Sequence, residues 1–168
     1  MQGSSREVLS VSYDLYMFAR AGKTMPTEEE FRKFFQGRNH YSLEDNCAFY
    51  NNEKTGVGFM FAYEKEKPDL AAMGIIFEGF DELPESDEDD IPYPLIAFNI
   101  NYSRPRSFII EAEPEVSALI QHFVFATDDP QTNGMGRDNY SPSGLIDGWT
   151  YCNEATRWNS PREEIQLS

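Results

Sequence analysis

Asn46-Cys47-Ala48-Phe49-Tyr50-Asn51-Asn52-Glu53-Lys54-Thr55-Gly56-Val57-Gly58-Phe59-Met60-Phe61-Ala62-Tyr63 is the stretch on which the fold turns. In its second half Val57, Phe59, Phe61 and Tyr63 share one face, opposite Gly58, Met60 and Ala62, which is the period of a strand. Asn46–Tyr50 reads as a second strand, and the polar Asn51–Thr55 between the two is rich in turn formers. A hairpin follows, and with it an antiparallel sheet. Gly56 and Gly58 point to a bulge or to the close approach of another stretch of chain.

Toward the N-terminus, Val8 to Ala19 alternates in the same way. Val11, Tyr13, Leu15 and Met17 oppose Ser12, Asp14, Tyr16 and Phe18. Its second face is also partly apolar, which suits a central position in a sheet. Pro26-Thr27-Glu28-Glu29-Glu30 announces a helix, in which Thr27 caps the first turn and Glu30 reaches back to complete a capping box. Phe31, Phe34 and Phe35 form its buried stripe, and Gly37 is the stop.

Toward the C-terminus, Ala71–Phe80 reads as a strand. The acid-rich residues of 81–92, Asp87, Glu88, Asp89 and Asp90 among them, read as a solvated, mobile loop, because like charges at this density cannot be buried. Leu95–Tyr102 is a further strand, closed by Ser103-Arg104-Pro105-Arg106. Glu111–Phe125 is read as a helix carrying Val116, Leu119, Ile120 and Phe123, with Pro114 in its first turn. Asp128-Asp129-Pro130-Gln131 closes that segment, and Thr132-Asn133-Gly134-Met135-Gly136 reads as loop. Ser141-Pro142-Ser143 opens a last helix with Leu145, Ile146, Trp149 and Cys152 on its apolar side, and residues 160–168 read as a frayed tail. The expectation is one α+β domain, 1–168. Its mainly antiparallel sheet has about five strands in the order β-α-β-β-β-β-α-α, and the helices pack on one face.

Composition narrows the function. Fourteen basic residues against 29 acidic ones leave a formal net charge of −15, which phosphates and anionic membranes would repel. Neither nucleic acid nor membrane is therefore an expected partner, and a cationic protein is. No apolar run approaches the roughly 20 residues of a membrane span, and the opening residues lack the apolar core of a secretion signal. A cytoplasmic location is expected. Cys47 and Cys152 are the only cysteines; their separation defines neither a disulfide framework nor a zinc site.

Catalytic and cofactor motifs do not emerge. There is no serine-nucleophile elbow and no phosphate-binding glycine loop at a strand–helix junction. The aspartates of 87–90 offer hard oxygens but lack the glycine turn and terminal glutamate of an EF-hand loop. No catalytic residue, cofactor or metal is therefore expected. His40 and His122, the only histidines, read as structural residues. What remains is aromatic anchors beside acids, the usual make-up of a steered protein-binding surface. The candidates are Tyr41, Glu44, Asp45, Asp87, Glu88, Asp89, Asp90, Tyr93, Asp128, Asp129, Tyr140 and Trp158. The alternative is a small-ligand binder or enzyme with an aromatic-lined pocket over the sheet, in which Arg104, Arg106, Glu111 and His122 converge.

Several short elements together resemble a known group. They are Ser12–Phe18, Tyr50-Asn51-Asn52 leading to Thr55-Gly56-Val57-Gly58-Phe59, Asn101–Pro105 before Phe108 and Glu111-Ala112, and a helix ending in Asp129-Pro130-Gln131. They are similar to the immunity proteins of polymorphic or contact-delivered bacterial toxin systems, including the Sit-type immunity proteins of myxobacteria. The resemblance implies a non-enzymatic cytoplasmic protein that binds and blocks one cognate, basic toxin. It carries no catalytic residue over to this chain. An adaptor or chaperone for a secreted effector would use an acidic surface similarly, and the sequence leaves that option open.

Overall fold

A computed structural model of the protein describes residues 11–68 and 91–159, with side chains described as far as Thr156 in the last helix. The strand expected over Ala71–Phe80, the acids of 81–90 and the tail 160–168 lie outside the described residues. The elements are β1 (Ser12–Phe18), α1 (Glu28–Phe35), β2 (Tyr41–Glu44), β3 (Cys47–Asn52), β4 (Val57–Glu64), β5 (Leu95–Asn101), α2 (Ser107–Phe123), β6 (Ala126–Asp129), β7 (Gly136–Arg137) and α3 (Pro142–Asn159). They form an α+β fold around one antiparallel sheet, ordered β2-β3-β4-β5-β1-β6-β7. The described sheet thus has seven strands rather than about five.

The decisive hairpin forms as its pattern predicts. β3 and β4 pair without interruption from Cys47 opposite Ala62 to Asn52 opposite Val57. The expected bulge is absent from it. Gly58 pairs regularly with Asn51, while Gly56 takes a left-handed φ of 75° in the turn, the conformation in which a side chain would be strained. β1 is central, as its two-faced apolar pattern suggests, pairing with β5 on one side and β6 on the other.

The core lies between the sheet and the helices. Tyr13, Leu15, Met17, Phe61, Ile96 and Phe98 are fully or almost fully buried on that face. α1 begins at the predicted capping box: the Glu30 amide donates to Thr27 Oγ1 at 3.2 Å and the Thr27 amide to Glu30 Oε2 at 2.8 Å. Its Phe31 and Phe35 then meet the sheet, the Phe35 ring centroid 5.2 Å from that of Phe61. Within the sheet Tyr50 stacks on Phe59 at 4.3 Å. α3 buries Leu145 and Trp149. It is tied to the end of β5 by Asn153 Nδ2, which donates to the carbonyls of Tyr102 at 2.7 Å and Arg104 at 2.9 Å. Among the described residues no helix is long and apolar enough to cross a membrane.

α2 departs from expectation at both ends. It starts four residues early, at Ser107, and Pro114 sits inside it. The buried stripe Ile109, Ala112, Val116 and Leu119 runs straight through that point. Pro114 lies on the exposed side with Ile110, so the carbonyl that loses its amide partner there faces water. The helix stops at Phe123, not Phe125, and Val124 caps it where the backbone turns left-handed at φ 55°. That reversal points Phe125 into the core and opens β6, a strand that takes in Asp128 and Asp129, which read from the sequence as the close of the helical segment.

Candidate functional site

Alternation divides the sheet into two unlike faces. Opposite the helices lie Asp14, Tyr16, Met60, Ala62, Glu64, Leu95, Ala97 and Asn99. Among the described residues no helix covers them. Register sets them in rows. Asn99 pairs with both Asp14 and Met60, Ala97 with both Tyr16 and Ala62, and Leu95 with Glu64. Because the middle row ends in two alanines, the face is hollowed there. The result is a groove of about 350 Å³, bordered also by Tyr93 and Pro68.

The groove is acidic and aromatic. Asp14 Oδ1 accepts from Asn99 Nδ2 at 2.6 Å, and burial pushes its carboxyl above the usual range against the hydrogen bonds from Asn99 and Ser12. The Tyr16 phenol is raised first by burial and then by Asp14, Tyr93, Asp128 and Glu64. Glu64 also borders a second cleft of about 370 Å³ with Glu28, Asp45, Glu66 and Lys65. The Lys65 ammonium there is held by Glu28 at 2.7 Å. The two hollows form one negatively charged surface through this shared residue.

The structure distributes the predicted site residues unevenly. Asp45 lines the second cleft, Tyr93 the groove, and Glu44 is exposed at the neighbouring β2–β3 turn. Asp128 lies across from Tyr16 in the β1–β6 register and pairs with Arg137 at 3.7 Å. Three others are engaged within the fold, and of these only Asp129 is buried. Asp129 is 3% exposed: it accepts from the Tyr13 hydroxyl and from the amides of Gln131 at 3.1 Å and Met135 at 3.0 Å, so no partner can reach it. Tyr41 is wedged 4.8 Å from Phe35 with its hydroxyl on Glu115 at 2.8 Å. Tyr140 binds Ser117 and Glu113 on α2. Each polar head finds a partner distant in sequence, and Tyr41 and Tyr140 stay half-buried. Asp87, Glu88, Asp89 and Asp90 lie outside the described residues, as does the side chain of Trp158.

The alternative constellation does not converge. Glu111 and His122 lie on one helix about 16 Å apart along its axis, and Arg104 and Arg106 are exposed at its entrance. Glu111 instead ties the β3–β4 hairpin to α2. Its Oε1 accepts from Tyr50 at 2.7 Å, Asn52 at 2.7 Å and Thr55 at 3.2 Å. Burial raises its carboxyl, but these donors and the charge of His40 outweigh that and hold it below its ordinary value. Burial and Glu111 together push Tyr50 up to about 12. His122 is exposed, its ring between Phe34 at 5.0 Å and Phe123 at 4.5 Å.

The acids and tyrosines of the open face were not singled out as a group from the sequence, although alternation around Tyr16 and Ala62 placed them on one side of their strands. Their assembly depends on β5 joining β4 to β1. No family model matches the chain, and no characterised protein or solved structure is significantly similar to it.

Proposed function

We propose that the chain is an immunity protein, acting in the cytoplasm without catalysis by binding a basic toxin domain through the open face of its sheet. The observation that carries this reading is the joining of two carboxylate-lined hollows through Glu64, with Tyr16 and Tyr93 at the groove. In a chain of net charge −15 such a surface steers a cationic protein to it, while buried aromatic contacts slow release. The resemblance of Ser12–Phe18 and the later short elements to immunity proteins points the same way.

The test is co-expression with the product of the adjacent gene in a host that the product kills. The wild-type chain restores growth, and the triple variant Asp45→Lys, Glu64→Lys, Glu66→Lys does not. With purified partners, raising salt from about 0.05 to about 0.5 M lowers the association rate at least about tenfold and leaves dissociation nearly unchanged. Death of cells carrying the wild-type chain refutes the reading. Loss of effector secretion on deletion, with the producer surviving, would make the chain an adaptor.

A further inference from the structure

We infer that the groove on the open face receives an extended segment of the partner, with an arginine at each end of a five-residue stretch and a bulky apolar residue at its centre. This rests on the partner-binding reading above and specifies what enters the site. Asp14 and Glu64 stand at opposite ends of the groove. In the sheet they are two strands apart and four positions along, which separates their Cα atoms by about 17 Å. Between them Ala62 and Ala97 leave a shallow apolar floor, and Tyr16 and Tyr93 supply phenol rings beside it.

Charge complementarity selects the occupant. None of the described residues lining the groove is basic, and the neutral Asn99 and Ser12 donate to Asp14. A cation arriving at each end meets a carboxylate, and a large apolar side chain fills the space above the alanines. In an extended segment residues i, i+2 and i+4 project to one side and span about 13 Å, and long side chains reach the remainder. Arginine fits better than lysine, because its planar guanidinium can both fork onto a carboxylate and lie against a tyrosine ring.

The experiment uses the isotopically labelled full chain and the capped peptide Arg-Thr-Leu-Thr-Arg. Saturable amide shifts should centre on Tyr16, Ala62, Ala97 and Asn99. Affinity should exceed that for Gln-Thr-Leu-Thr-Gln and for spermidine by about tenfold. The near-isosteric changes Asp14→Asn and Glu64→Gln should each weaken binding about fivefold. Ala97→Leu, which fills the floor and leaves the charge alone, should weaken it about tenfold. Equal binding of the glutamine peptide, equal binding of spermidine, or shifts spread over Glu28, Asp45 and Glu66 instead would overturn the assignment. The two readings fail separately. Co-expression protection that persists when the peptide does not bind removes the groove assignment alone, whereas peptide binding without protection removes the immunity reading.

Discussion

Replacing Tyr13 by Phe deletes one oxygen from the centre of the molecule, and its effect can be worked out. Tyr13 is fully buried and its hydroxyl donates to Asp129, itself 3% exposed. Burial and the Asp129 carboxylate hold the phenol far above its ordinary pKa, so it remains a donor at every pH where the protein is handled. A hydrogen bond to a buried charge contributes about 1.5–3 kcal/mol. After the change Asp129 keeps the amides of Gln131 and Met135, which favours the middle of that range, about 2 kcal/mol. For a chain of this size that lowers Tm by about 4–8 °C. Urea unfolding followed through the buried Trp149 gives the free energy directly. The loss should be constant from about pH 6 to pH 9, since the phenol does not titrate there. Asp129→Asn should be as damaging, because its amide nitrogen would turn a donor toward a backbone N–H. In the double variant the losses should fall short of their sum by about 1 kcal/mol or more. A loss under about 0.5 kcal/mol for Tyr13→Phe, or strict additivity, would show that the pair is not what secures the β6–β7 turn to β1.

Glu111→Gln should destabilise the fold by about 1 kcal/mol near neutrality. Because the folded carboxyl lies below its ordinary 4.5, its stabilisation is fully present above that value and is lost as pH falls through the folded one. The gap between wild type and variant should therefore close in acid denaturation curves, and a gap independent of pH would contradict the tether. Gly134→Ala should destabilise by about 1–3 kcal/mol, since a Cβ there overlaps the Asp129 carboxylate. In an Asp129→Ser background, where that space is vacated, the same Gly134→Ala change should cost less in thermal melts than it does in the wild type.

The parts of the fold that were legible in the sequence are those where one face is apolar and one polar. The alternation of Val57–Tyr63, the capping box at Thr27 and the phenylalanine stripe of α1 each carry their structure locally. β6 was hidden because two of the three residues it buries, Thr127 and Asp129, are polar, and Asp129 reads as the close of a helical segment until Tyr13 supplies its partner. β2 was missed because four residues alternating half-buried and exposed hardly form a pattern. The start of α2 was missed because Pro114 marks a first turn in isolation, whereas burial of Ile109 and Ala112 against the sheet carries the helix past it. At the candidate site, Asp45 and Tyr93 could be picked out as acid and aromatic. The groove itself arises from Ala97 standing between Tyr16 and Ala62, which only the pairing of β5 with both β1 and β4 brings about.

That pairing also governs when the protein can exist. Tyr13 lies beside Ile100 and Tyr16 beside Asp128, so the first of the described strands has neighbours made long after it. At a ribosomal rate of 5–20 residues per second the nascent chain carries β1 unmatched for on the order of ten seconds. The hairpin of β3 and β4 needs no such wait. The sheet therefore closes by admitting its oldest strand between two of its youngest, a non-local step that slows folding. Any message cut short before β6 yields a product whose centre is open on one side.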